Sequence, residues 1–536
     1  MTSRSLVSNL AIIIVASSLV SCALNGQTTA PKAIISGARL GMNLNGPADW
    51  NTELPFVDVF HFSREWISQK LGEGWGKGPS LILDADGYVT KLEPGCFAET
   101  ILCTVEGGHY PSGDYTVYYD GKGKLDFGGA ASVATNAPGK ITIKVDAKKG
   151  SVFLRVVETD SLDHIRNIRV IMPGFETTYK TNPFHPIFLK RWQGMSSLRF
   201  MDWMMTNGSK VAKWADRPKL VDATYTTRGI PLELMIDLCN RQKADAWFCM
   251  PHRADDDYVR NFAQLVKQRL APGLKVYIEY SNEVWNSGFE QNRYSQDKAK
   301  ELKLGPAERL WEGGAMYYGK RSVEIFKIWT DVFGGHDRLV RVLAWQAAAD
   351  AYWTDGLLLS QPGIATNADA LAIAPYITMC IPPTSTDPKQ LSAETVSKWT
   401  VDQVMDNVEK TALPEAISWI TRQKAIANKY KLKLITYEGG QHLVGIQGGE
   451  NNDEMTRLFQ EANSSPRMGR VYTKYLAAWT TAGGDLFSYF SSTGSWSKWG
   501  SWGITQYYDD DVTKSPKFMS VMLWAKSRGQ VVNLEK

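Results

Sequence analysis

From residue 183 onward this chain of 536 residues alternates short apolar runs with longer amphipathic ones, and that rhythm leaves few folds open. Strand-like segments recur at Ser197–Met201, Ala246–Met250, Lys275–Tyr280, Leu339–Ala344, Ala370–Ala374, Leu432–Tyr437 and Leu486–Phe490. Between them lie helix-like stretches such as Asp256–Leu270, Gly313–Phe333 and Pro414–Lys429. Asp255, Asp256 and Asp257 start the first of these, where carboxylates favour the positive end of the helix dipole. With Leu40–Leu44 upstream the strands number eight, which predicts an α/β fold of the (β/α)8 TIM-barrel type.

The spacing adds an insertion. Later strands begin about 30 to 65 residues apart, whereas the first and second are about 155 apart. The excess of about 100 residues is rich in alternating segments such as Tyr115–Tyr119, Ile141–Val145 and Val152–Val156, separated by Gly, Asp, Asn and Pro turns. That pattern predicts a β-sandwich-like insertion after the first strand. The expected organisation is a signal peptide over 1–21, a tether over 22–36, and the first part of the barrel over 37–72. The inserted sandwich follows over 73–180, and the rest of the catalytic barrel over 181–536. Within the first barrel part, Phe56–Leu71 reads as helix-like.

The amino terminus reads as a targeting segment, with Arg4 before the apolar run Leu10–Val20. It ends in Leu19-Val20-Ser21-Cys22, similar to the bacterial lipobox, so acylation at Cys22 is expected; ordinary cleavage near Ala23 or Ala30 is the alternative. Either reading exports the protein, as a cell-envelope lipoprotein (outer membrane or cell surface) or in secreted form. Membrane contact is then expected only through the lipid anchor. The 60 basic residues nearly balance the 56 acidic ones, for a net charge of +4, and there is no long basic run. Nucleic acid is therefore not an expected partner, and a monomer is expected. With seven His and no paired CxxC, no metal is expected. Cys96 and Cys103 flank a strand-like run and fit either an exported disulfide or two buried thiols. Asp84-Ala85-Asp86-Gly87 lacks the closing Glu of a calcium loop, because Gly95 holds that position, and reads as a turn.

Two motifs carry chemistry. Tyr280-Ser281-Asn282-Glu283-Val284-Trp285-Asn286 follows the fourth barrel strand, and Tyr437-Glu438-Gly439-Gly440-Gln441-His442 follows the seventh. Catalytic residues of TIM barrels lie at the carboxyl ends of strands, so Glu283 and Glu438 should face one cavity. Glycoside cleavage requires such a pair. One carboxyl protonates the leaving oxygen, and in retaining enzymes a carboxylate about 5–5.5 Å away attacks the anomeric carbon.

Asn-Glu after strand four and Glu after strand seven resemble clan A of the glycoside hydrolases, the clan of many cellulases, xylanases, mannanases and β-glycosidases. The resemblance covers the barrel, not the insertion, and assigns no single family. It implies a retaining β-glycosidase acting on a polysaccharide or oligosaccharide, with Glu283 as acid/base and Glu438 as nucleophile. That hydrolysis calls for no organic cofactor. It further implies that Asn282 contacts the sugar 2-hydroxyl, that Arg199 hydrogen-bonds the nucleophile, and that Tyr376 positions it. His252 matches a histidine found after strand three. The loop after strand eight carries Trp496, Trp499 and Trp502, with Trp496 as the candidate sugar platform, and Trp285 is a second aromatic candidate. Plainer readings stay open. The glutamates can be capping or surface carboxylates, Arg199 a structural partner, His252 a loop residue, Tyr376 a cap on the barrel mouth, and Trp285 and Trp345 packing residues. A non-catalytic carbohydrate-binding lipoprotein would also keep the barrel, and a transglycosylase would share the same residues.

Overall fold

The computed structural model describes residues 37–387 and 390–535; the signal peptide, Cys22 and the tether lie outside the described residues. Eight parallel strands close into a barrel in chain order: β1 (Arg39–Asn43), β2 (Ser197–Arg199), β3 (Asp245–Met250), β4 (Val276–Tyr280), β5 (Leu339–Ala344), β6 (Ala370–Ile373), β7 (Lys433–Thr436) and β8 (Leu486–Tyr489). Closure comes from β1 pairing with β8, Arg39 opposite Leu486 and Met42 opposite Tyr489. The TIM-barrel fold expected from the strand count is present.

Alternation decides what each strand offers the interior. Val276, Ile278 and Tyr280 of β4 join the large core between strands and helices, while Tyr277 joins the inner core with Trp247 and Cys249 of β3 and Ile435 of β7. Each face of a fully covered parallel sheet must be apolar, so these strands read as nearly continuous hydrophobic runs. The inner positions near the carboxyl end break that rule. Asn43 lies opposite Arg199 in the register of β1 and β2, and Cys249 lies opposite Glu279 in that of β3 and β4. A buried polar layer here has to satisfy itself. The helix Asp256–Arg269 begins as its acidic start predicts, with the Asp255 side chain accepting from Tyr258 N at 2.8 Å.

Between β1 and β2 the chain builds two four-stranded antiparallel sheets. One contains Ile67–Lys70, Cys96–Leu102, Val152–Thr159 and Gly123–Gly129; the other contains Arg166–Ile171, Gly113–Asp120, Lys140–Val145 and Ala131–Ala137. Leu125, Leu154 and Val156 from the first share a core with Val117, Ile143 and Val170 from the second. The sheets thus begin at Ile67 and their last strand ends at Ile171, so the expected boundary at residue 72 falls inside them. The helix-like reading of Phe56–Leu71 is also corrected: a single 3-10 turn, Phe60–Phe62, precedes the strand Ile67–Lys70. Phe56 and Phe62 pack into the barrel core, whereas Leu54, Val59 and Phe60 pack into the sandwich core. A loop shared between two cores imitates helical spacing. Cys96 and Cys103 are both free thiols. Asp84 makes a turn, its carboxylate accepting from the backbone of Asp86 and Tyr88. The insertion meets the loop after β8, where the His109 ring stacks on Tyr507 at 3.8 Å.

Candidate active site

Arg199 organises the carboxyl end of the barrel. It has no exposed side-chain surface, and a guanidinium so placed must spend all five N–H groups. Nε donates to Glu279 Oε2 at 3.1 Å, and Nη2 donates to the same carboxylate at 2.9 Å. The other Nη2 hydrogen goes to Asn282 Oδ1 at 2.8 Å. Nη1 divides between Asn43 Oδ1 at 3.0 Å and Glu438 Oε1 at 2.8 Å. Burial works against the charge, but Glu279 and then Cys249 and Glu438 outweigh it and hold the guanidinium protonated. Glu279 is pushed up by burial and pulled back by Arg199, Trp247 Nε1 at 2.9 Å and Cys249 Sγ at 3.4 Å.

Glu438 follows β7 by two positions and is nearly buried. Besides Arg199 it accepts from the Tyr376 hydroxyl at 2.8 Å. Burial and the neighbouring Glu438 raise the Tyr376 phenol well above its usual range, so it stays a donor. Two donors, one of them cationic, suit a carboxylate anion.

Glu283 sits three residues past β4 in a turn that the backbone has to force. Ser281 and Glu283 both take left-handed conformations, with φ of 59° and 42°, which non-glycine residues seldom adopt and which gather at functional sites. The turn is tied down by Ser281 N to Met250 O and Asn286 N to Glu283 O, each 2.8 Å. The Glu283 carboxyl accepts from Tyr437 OH and Asn286 Nδ2, both at 3.0 Å. Desolvation, with the charge of Glu438 next in size, still pushes it up to about 7. Asn282 has its orientation fixed from both sides: Oδ1 takes the Arg199 proton, and Nδ2 donates to Asn207 Oδ1 at 3.1 Å.

The other expected residues divide. Trp285 is half-buried, with its indole beside the Tyr437 hydroxyl. His252 is fully buried, but its ring packs on Tyr294 and approaches Glu290 at 3.8 Å. Burial lowers it to about 4, so the ring is neutral; its contacts are with the helix Glu290–Glu301 rather than with either glutamate. Trp345 packs on Tyr318 and Trp353. Trp496 is turned away, with its Nε1 donating to Gly503 O at 2.9 Å and Lys517 Nζ 4.5 Å from its ring. The indole that reaches the site is Trp502, stacked on His442 at 4.9 Å and edge-on to Tyr376 at 5.8 Å. The loop folds back on itself through the Ser497–Gly500 bridge, so the more distant Trp returns to the strand end.

Four further residues belong to this cluster and escaped the sequence reading: Asn43, Glu279, Tyr437 and Asp202. The first two had a signal, being polar at inward positions of apolar strands. Asp202 is half-buried in the loop after β2, and its carboxyl is pushed up to about 7 by burial and by the charge of Glu438. Gly46 lets the β1 loop approach it, since a Cβ there would meet the Asp202 carbonyl at 3.1 Å. Among the described residues no group of three or more His, Cys, Asp or Glu is arranged to hold a metal ion, and no helix is long and apolar enough to cross a membrane.

No known protein family and no curated protein matches this sequence. Among solved structures the chain is similar in fold to a 4-O-α-L-rhamnosyl-β-D-glucuronidase from Fusarium oxysporum 12S, at 11% identity and a TM-score of 0.38 over 61% of this chain and 60% of that one. It is also similar to the modular endo-β-1,4-mannanase of Cellulomonas fimi, at 11% identity and 0.31 over 61% and 62% of the two chains. A third is the β-glycosidase of the hyperthermophile Thermosphaera aggregans, at 10% identity and 0.33 over 62% and 82%. The match spans less than two thirds of the length of the first two. Likeness at this level concerns the fold and assigns no residue a role.

Proposed function

We propose that this chain is a retaining glycoside hydrolase that cleaves β-glycosidic bonds in a polysaccharide or oligosaccharide. The observation that supports it best is the unequal treatment of two carboxyls at one barrel mouth. Glu438 receives a guanidinium and a phenol, while Glu283 is desolvated and held at about 7 beside it. A carboxyl raised by desolvation suits the acid, and a carboxylate held by a cation and a phenol suits the nucleophile.

In the first step the Glu438 carboxylate attacks the anomeric carbon. The bond to the leaving oxygen breaks as that oxygen takes the Glu283 proton. In the second, the Glu283 carboxylate takes a proton from water, the oxygen of that water attacks the anomeric carbon, and Glu438 departs as a carboxylate. Every proton and electron pair comes from the chain, the substrate or water. Asn282, oriented by Arg199 and Asn207, is placed to meet a sugar hydroxyl, and Trp502 with Trp285 supplies flat surface for the sugar ring. Export and acylation at Cys22 are part of the same proposal, resting on Leu19-Val20-Ser21-Cys22; a Cys22→Ser chain would then leave the membrane fraction.

The test is a panel of polysaccharides and aryl β-glycosides against wild type and Glu438→Ala. Turnover of one class by wild type and its loss in the variant support the reading. Turnover that survives in Glu438→Ala removes the nucleophile assignment, and sugar binding without turnover turns the protein into a receptor.

A further inference from the structure

Trp496, turned away from the two glutamates, borders a groove of its own. A cavity of about 460 Å³ is lined by Trp496, Arg457, Gln460, Ser464 and Gln506 among others, and a second of about 230 Å³ shares Trp496, Ser464 and Gln506 with it. These residues come from the helix Asp453–Ser464 and the loop after β8, and none belongs to the cluster around Glu283 and Glu438.

The chemistry of the lining is specific. The indole nitrogen is already committed to Gly503 O, and Lys517 fixes the ring from one side. What Trp496 still offers a ligand is therefore apolar ring surface, pre-set in orientation. Both cations of the wall are already paired, Arg457 with Glu461 at 3.2 Å and Lys514 with Asp511 at 3.8 Å, and the Asp510 carboxylate is taken up by the backbone N–H groups of Gln506 and Tyr507. Two half-buried carboxamides are left over. Gln506 is engaged through its backbone, N to Asp510 Oδ2 at 2.7 Å and O from Thr52 Oγ1 at 2.6 Å. Gln460 is likewise engaged through its carbonyl, which accepts from Ser464 Oγ at 3.2 Å. Neither side-chain amide has a protein partner among the described residues. Each carries donors and acceptors matched to hydroxyl groups.

We propose that this groove is a second, non-catalytic glycan-binding site, in which a neutral sugar lays its C–H face on Trp496 and its hydroxyls bond Gln460 and Gln506. An anionic ligand would find both cations of the wall already paired, and an apolar one would leave both amides unpaired. The site goes beyond the proposed function and shares with it only the class of ligand.

The experiment is native affinity electrophoresis of the full chain through gels containing mixed-linkage β-glucan, xylan or galactomannan, in a Glu438→Ala background so that the polymer survives. At least one polymer is expected to retard it, and adding Gln460→Ala with Gln506→Ala should raise the apparent Kd by about tenfold. With Glu438 intact, the same pair of changes should leave kcat/KM on an aryl glycoside within about twofold of wild type. Retardation that is unchanged by the two changes overturns the proposal. So does its absence with all three polymers, or an equal loss on the aryl glycoside. Both amides are half-exposed, so the double variant is expected to fold, and Trp496→Phe provides a milder second variant with the same expected direction. Failure of the catalytic reading would appear separately, as turnover surviving in Glu438→Ala.

Discussion

Arg199 Nη1 donates to Glu438 Oε1 at 2.8 Å in a position where the side-chain exposures are 0% and 7%. The same guanidinium holds Glu279 through two nitrogens, so a single buried cation serves one carboxylate that is closed off and another at the barrel mouth.

Removing that cation should cost stability as well as activity. Arg199→Met leaves Glu279 buried with its charge unpaired, and breaking a buried pair from one side costs about 3–5 kcal/mol. Adding Glu279→Gln should recover a large part of the loss, because the second change removes the stranded charge. Denaturant unfolding of the single and double variants measures both, and equal stability of the two would remove Glu279 as the structural partner.

The pH profile should report Glu283. Its carboxyl, raised to about 7 by desolvation and by Glu438, works as an acid only while protonated, so kcat/KM should fall as pH rises through about 7. The Tyr437 hydroxyl donates to this carboxyl and favours its ionised form. Tyr437→Phe should therefore move the basic limb upward. Asp202 is raised into the same range, so Asp202→Asn is the control: the limb should persist in it.

The loop after β8 gives a sharper test of position than of chemistry. Trp502→Ala removes the ring against Tyr376 and His442 and should lower kcat/KM by about 10- to 100-fold. Trp499, 64% exposed with Lys498 over its ring, should tolerate Ala with little change on a small substrate.

These differences trace what the sequence could carry. The barrel was legible because each strand is buried on both sides and so is apolar throughout, and each helix is amphipathic; seven strands after residue 183 and one before it are periodic features that need no tertiary context. The position of Glu283 and Glu438 just past two strand ends was legible because strand ends are legible. Arg199 was picked out only through the family resemblance, as a partner of the nucleophile, and nothing local says that Glu279 takes two of its nitrogens. Phe56–Phe62 misled because two cores share one loop. Trp496 misled for a related reason: three tryptophans within seven positions of a loop are equivalent in sequence, and only the fold-back at Ser497–Gly500 decides which reaches Tyr376. His252 lies where a site histidine was expected, but its ring packs on the helix that follows β4.

The central claim is that Glu438 attacks and Glu283 protonates, so the most direct measurement is trapping the intermediate. An activated 2-deoxy-2-fluoro-β-glycoside of the sugar identified by the substrate panel should inactivate the wild-type protein, and peptide mass mapping should find one added glycosyl group on the peptide that carries Glu438. A label on any other residue, or a product of inverted anomeric configuration, would contradict the assignment.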